Sequence, residues 1–62
     1  MTNLSQTEKP IAMLIVEDHE FMRGLLREYL QSAYPDAAIM EAADGARALE
    51  LCRSQSPQLV LM

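Results

Sequence analysis

The sequence predicts an α/β fold, the β-α-β-α-β first half of a doubly wound parallel sheet. Segments of strand length recur three times, as apolar runs at residues 11–16 and 59–62 and as a weaker segment at 37–42 centred on Ile39 and Met40. Amphipathic segments of helical spacing separate these runs, and the links between them are short. Strands that alternate with helices in this way indicate right-handed crossovers within one parallel sheet.

Composition narrows the class of protein. The 62 residues are 50% hydrophobic with a net charge of −4, which fits one small domain and argues against disorder and against binding to a nucleic-acid backbone. No apolar stretch is long enough to cross a membrane. Residues 1–10 are interpreted as a flexible lead-in without the features of a secretory signal, and residues 11–62 as the domain. The single cysteine, Cys52, excludes an internal disulfide, so we expect a reduced, cytoplasmic setting.

The first apolar run, residues 11–16, shows no alternation, which is typical of a strand buried on both faces. A first helix is predicted after the polar break at 17–20, with Asp18 or His19 as its N-cap. Pro35 ends it near Ala33. Its apolar stripe is expected at Phe21, Met22, Leu25, Leu26, Tyr29, Leu30 and Ala33, with Arg23, Arg27, Glu28 and Gln31 on the other side.

A weaker second strand is predicted at residues 37–42, followed by a helix capped by Asp44. This second helix would place Ala46, Leu49 and Cys52 toward the core, with Ala48 and Leu51 alongside. Met13, Met22 and Met40 are expected in the core. The third strand reaches the last residue without a turn or a closing helix, so we expect the fold to be truncated after that strand.

Glu17 and Asp18 stand where the first strand gives way to the first helix. Ligands of open α/β sheets gather at the carboxyl ends of the strands, and Mg²⁺ prefers carboxylate oxygens. The pair is therefore a candidate metal site. The alternative is that Asp18 only caps the helix and Glu17 is solvated. Glu41 could point toward the pair, although a solvated position fits it better.

The sequence gives little support for nucleotide binding, zinc binding or nucleophilic catalysis. No glycine-rich phosphate loop follows the first strand, which argues against dinucleotide and P-loop sites. His19 is the sole histidine and is interpreted as a loop or capping residue, and Cys52 as a small core residue. No Ser-His-Asp set is present, so the sequence does not predict an enzyme.

Four segments in this order resemble the opening half of a bacterial response-regulator receiver domain. They are residues 11–19, the amphipathic segment 21–34, residues 41–51 and residues 56–62. The resemblance implies a flavodoxin-like receiver fold and a role in phosphorelay signalling, with a histidine kinase as the phosphoryl donor. It also implies a Mg²⁺ site with Asp18 as direct ligand and Glu17 as a supporting or water-mediated one. The Glu-Asp-His form is similar to regulators with a helix-turn-helix output domain.

The sequence departs from this family where it ends. In the family, the aspartate that accepts the phosphoryl group directly follows the position of Met62. We therefore expect that the 62 residues are not phosphorylated and that they bind Mg²⁺ weakly or not at all. We also expect that they self-associate through an exposed third strand or are only partly ordered. The alternative is a stand-alone interaction module in which the first helix engages a kinase or a regulator without phosphorylation.

Overall fold

The computed structural model describes residues 10–62, so the predicted lead-in lies outside the described residues except for Pro10. Its elements follow the predicted order. They are β1 (Ala12–Val16), α1 (Glu20–Ala33), β2 (Ala38–Ala42), α2 (Gly45–Gln55) and β3 (Leu59–Leu61). The predicted α/β class is confirmed, and the strand bounds differ from the prediction by one residue at an end.

The three strands form one parallel sheet in the order β2-β1-β3. Ile15 of the central strand stands in register with Glu41 of β2 and with Leu61 of β3. Both neighbours are reached by a helical crossover, as the alternation of elements predicts. The carboxyl ends of all three strands therefore meet at one edge of the sheet.

The core is centred on β1, as its unbroken apolar run predicts. Leu14 and Ile15 are fully buried, and Met13 is 3% exposed. Met13 and Ile15 pack with Leu30 of α1 on one face of the sheet. Successive side chains of a strand point to opposite faces, so Leu14 lies on the other face, where α2 packs against β1 and β2.

The predicted inner face of α1 is correct only at Leu26 and Leu30. Of the expected apolar stripe only Leu30 is buried and Leu26 half-buried, while Phe21, Met22, Leu25, Tyr29 and Ala33 are exposed. The half-buried and buried positions are instead Arg23, Leu26, Arg27, Leu30 and Gln31, which share one helical face. The helix is rotated because the side chains of Arg23 and Arg27 reach β2, as described below, and Gln31 donates to the carbonyls of Pro35 and Ala37 in the link before β2.

The ends of the helices follow the predicted signals. α1 ends at Ala33, and its C-cap Tyr34, which precedes Pro35, has left the helical region with φ of −132° and ψ of 77°. At the start of α2 the Asp44 carboxylate accepts a hydrogen bond from the backbone N–H of Arg47 at 2.8 Å, which confirms the predicted cap. α2 ends at Gln55, and its C-cap Ser56 adopts a left-handed conformation with φ of 49°.

The predicted inner face of α2 is correct only in part. Ala48, Leu51 and Cys52 are half-buried, but Ala46 and Leu49 are exposed, and Leu49 leaves 54% of its surface to solvent. Met40 is half-buried. Among the described residues no helix combines the length and the apolar character that a membrane span requires.

Candidate metal site at the carboxyl end of β1

Backbone hydrogen bonds fix the acidic segment at the end of β1. The N–H of Glu17 donates to the carbonyl of Ala42 at 3.0 Å, so the pairing with β2 continues one residue past the strand. His19 then takes the N-cap position of α1 with φ of −80° and ψ of 116°, and no side chain caps the helix. We call residues 17–19 the acidic loop. Of the two predicted cap residues, His19 is therefore the N-cap, and Asp18 precedes it and makes no cap hydrogen bond.

Three potential metal ligands lie together in this loop. One ligand atom each of Glu17, Asp18 and His19 lies within 4.8 Å of the others. His19 Nδ1 is 3.6 Å from an oxygen of each carboxylate. The Asp18 side chain is 84% exposed and that of Glu17 only 23%, and Glu17 Oε2 accepts a hydrogen bond from the His19 N–H at 3.2 Å. The Glu17 carboxylate is thus held against the backbone, and the Asp18 carboxylate is exposed to solvent.

The donor set fits a hard divalent cation. Mg²⁺ is commonly bound by one or two carboxylates while it keeps several waters, and the exposure of Asp18 leaves room for those waters. The His19 ring, which the sequence interpretation placed in a loop or cap role, lies beside both carboxylates. Its position depends on the backbone turn after Glu17, which residue types alone did not reveal.

Glu41 does not join the acidic loop, nor is it simply solvated. Its carboxylate forms ion pairs with Arg23 at 3.2 Å and with Arg27 at 2.6 Å. Sequence reasoning missed both contacts because it assigned the two arginines to the solvent face of α1. The sequence signal that could have indicated these ion pairs is the spacing of the two arginines, which places them on one face of α1, together with an acid near the end of β2.

The end of β3 lies next to the acidic loop. Leu61 pairs with Ile15, so Met62 follows in the chain beside Val16, immediately before Glu17. Within residues 10–62 no other group of three metal-ligating side chains comes together. Cys52, half-buried on α2, lies outside this cluster.

Comparison with known proteins shows that the chain is similar to two response regulators. It is 44% identical over 50 residues to a chemotaxis protein CheY of Halobacterium salinarum, and this match covers 81% of the chain. It is 27% identical over 55 residues, 89% of the chain, to the nitrate/nitrite response regulator protein NarL of Escherichia coli. This chain is related to response-regulator receiver domains.

The chain matches only part of the length of these response regulators. The chain spans 40% of the CheY protein and 26% of NarL. No family model matches the sequence, and no solved structure matches it. The three-stranded parallel sheet with its two helices is consistent with part of the flavodoxin-like receiver fold.

Proposed function

We propose that the chain contributes the acidic part of a Mg²⁺ and phosphoryl pocket in phosphorelay signalling. Asp18 is the direct metal ligand in this proposal and Glu17 the supporting one. The observation that carries it is the acidic loop standing beside the exit of β3 at the carboxyl edge of a parallel sheet. A phosphoryl group borne by a residue after β3 would lie close to both carboxylates.

Asp18 and Glu17 have different roles in this proposed pocket. Bound Mg²⁺ would neutralise charge on the phosphoryl group. Asp18 offers an exposed carboxylate to the cation, while Glu17 is oriented by the His19 N–H. Both ligands belong to one chain segment, so the 62 residues alone would hold the cation weakly. The phosphoryl donor would be a histidine kinase, the setting cytoplasmic and the output transcription regulation, as the family resemblance implies.

A titration with Mn²⁺ tests the metal proposal, because this paramagnetic cation broadens the NMR signals of nearby nuclei. We expect selective broadening of the amides of residues 17–19 and of Met62 in the wild-type chain. Asp18→Asn should abolish most of it, since the exposed ligand loses its charge. Asp36→Asn removes the same charge from an exposed position before β2 and should change nothing. Equal loss in both variants would refute a specific site.

A phosphorylation assay tests the second part. The three aspartates of the sequence are Asp18, Asp36 and Asp44, and none follows β3. We therefore expect no labelling of the 62 residues by acetyl phosphate. Labelling of the wild-type chain would contradict the proposed division of the pocket, and its loss or survival in Asp18→Asn would show whether Asp18 or another side chain accepts the group.

A second candidate function is an interaction module built on α1. Phe21, Met22, Leu25 and Tyr29 are 45–78% exposed and form one apolar strip along the helix. Exposed apolar patches of this kind mark binding surfaces. Binding of the chain to a histidine kinase without phosphate or metal, lost on Leu25→Ser and retained on Ser32→Ala, would favour this function over the first.

We also propose self-association through β3. Within residues 10–62, β3 pairs with β1 on one side only, and Leu59 and Val60 are 43% and 41% exposed. An unpaired strand edge offers N–H and C=O groups to another chain. Sedimentation of the chain at increasing concentration tests this proposal.

A further inference from the structure

Three charged side chains join α1 to the end of β2. Arg23 Nε lies 3.2 Å from Glu41 Oε1, and Arg27 Nη1 lies 2.6 Å from Glu41 Oε2. The side chain of Arg23 is 19% exposed and that of Glu41 is 32% exposed. The two guanidinium groups thus engage both oxygens of one partly buried carboxylate, which fixes the position of each group better than an isolated surface pair would.

The two arginines differ in their second contact. Arg23 Nη1 donates to the backbone carbonyl of Glu17 at 2.8 Å, whereas Arg27 Nη1 donates to the carbonyl of Ile39 at 3.2 Å. Arg23 therefore links Glu41 to the acidic loop, and Arg27 links Glu41 to its own strand. Arg27 is therefore a matched control for Arg23, because both arginines bind Glu41 but only Arg23 contacts the acidic loop.

Arg23 holds the acidic loop at both of its ends. Its side chain binds the carbonyl of Glu17, and its backbone N–H donates to the carbonyl of His19 at 2.8 Å. Asp18 lies between these two anchored carbonyls. The Asp18 and His19 side chains are 84% and 81% exposed, so packing does little to fix this part of the loop.

We propose that Arg23, held in place by Glu41, is a positioning residue that orients the acidic loop toward its cation. This inference rests on the metal site proposed above, which it deepens. Groups that orient metal ligands commonly change metal affinity by a factor of ten or more when they are removed. Electrostatics alone predicts the opposite sign, because loss of a positive charge near the loop would strengthen cation binding.

The test compares Arg23→Lys and Arg23→Met with Arg27→Met. Lysine keeps the charge but lacks the fork that reaches Glu41 and Glu17 together. We expect both Arg23 variants to lower the Mn²⁺ association constant about tenfold, and Arg27→Met to change it less than about twofold. Unchanged or tighter Mn²⁺ binding by the Arg23 variants would overturn the proposal. Amide protection at Leu14 reports whether each variant is folded.

A metal-free measurement separates this proposal from the metal site itself. Backbone order parameters from ¹⁵N relaxation should be near 0.85 for Asp18 and His19 in the wild-type chain and fall toward about 0.6 in the Arg23 variants. Arg27→Met should leave them unchanged. If the wild-type chain binds no Mn²⁺ but the order parameters fall as expected, the metal proposal fails and the positioning of the loop stands. If the order parameters do not respond, Arg23 does not position the loop. Glu41→Gln should reproduce the Arg23 effect if the acid is what holds Arg23 in place.

Discussion

Glu17 and Ala42 are joined by a backbone hydrogen bond of 3.0 Å that extends the sheet into the acidic loop. Ala42 is only 2% exposed, so the residue that holds Glu17 is itself fixed by packing. The location of the proposed metal ligands therefore depends on the end of β2 as well as on β1. A disturbance of Ala42 should reach the loop, although Ala42 lies outside it.

Replacing Ala42 by leucine should lower the free energy of unfolding by roughly 1–3 kcal/mol, because added methylenes overpack a buried site. Ala43→Leu adds the same volume at the next position, which is exposed, and should change it by less than about 0.5 kcal/mol. Chemical denaturation of both variants measures the difference. Equal effects of the two substitutions would mean that the end of β2 is not packed as described.

Asp44→Ala should lower the free energy of unfolding by about 1 kcal/mol, because the Arg47 N–H loses its acceptor at the start of α2. Asp44→Asn keeps a side-chain oxygen and should cost much less. Asp36→Ala removes a carboxylate that makes no described cap and serves as the control for charge. A loss as large in Asp36→Ala as in Asp44→Ala would assign the effect to net charge instead of capping.

Val60→Lys should reduce self-association, because a charged side chain on a strand edge disfavours pairing with another chain. Ser32→Lys adds the same charge to the exposed side of α1 and is expected to leave association unchanged. Sedimentation velocity over a range of concentrations distinguishes the variants. A wild-type chain that stays monomeric throughout, or equal responses to both substitutions, would contradict the role given to β3.

Sequence patterns predicted the elements of this fold well, because the signals are local. The unbroken apolar run of β1, Pro35 after α1 and the Asp44 cap each act within a few residues. The rotation of α1 was not predicted, since the apolar strip is wide enough to cover two orientations. Contacts of Arg23 and Arg27 with Glu41 select one of them, and these contacts join residues 14 and 18 positions apart in the chain.

The acidic pair itself was predictable, because its place at the end of a buried strand follows from the sequence. The contacts of His19 and Glu41, which lie near this pair in the fold or the sequence, could not be predicted. His19 lies between the carboxylates and Glu41 is taken by two arginines, and both facts depend on side-chain directions that spacing does not determine.

An anomalous difference map from crystals of the chain grown with Mn²⁺ tests the central claim most directly. We expect a peak about 2.0–2.3 Å from a carboxylate oxygen of Asp18, with Glu17 as direct or water-mediated neighbour. A Mn²⁺ ion bound elsewhere on the chain, and not at the acidic loop, would contradict it.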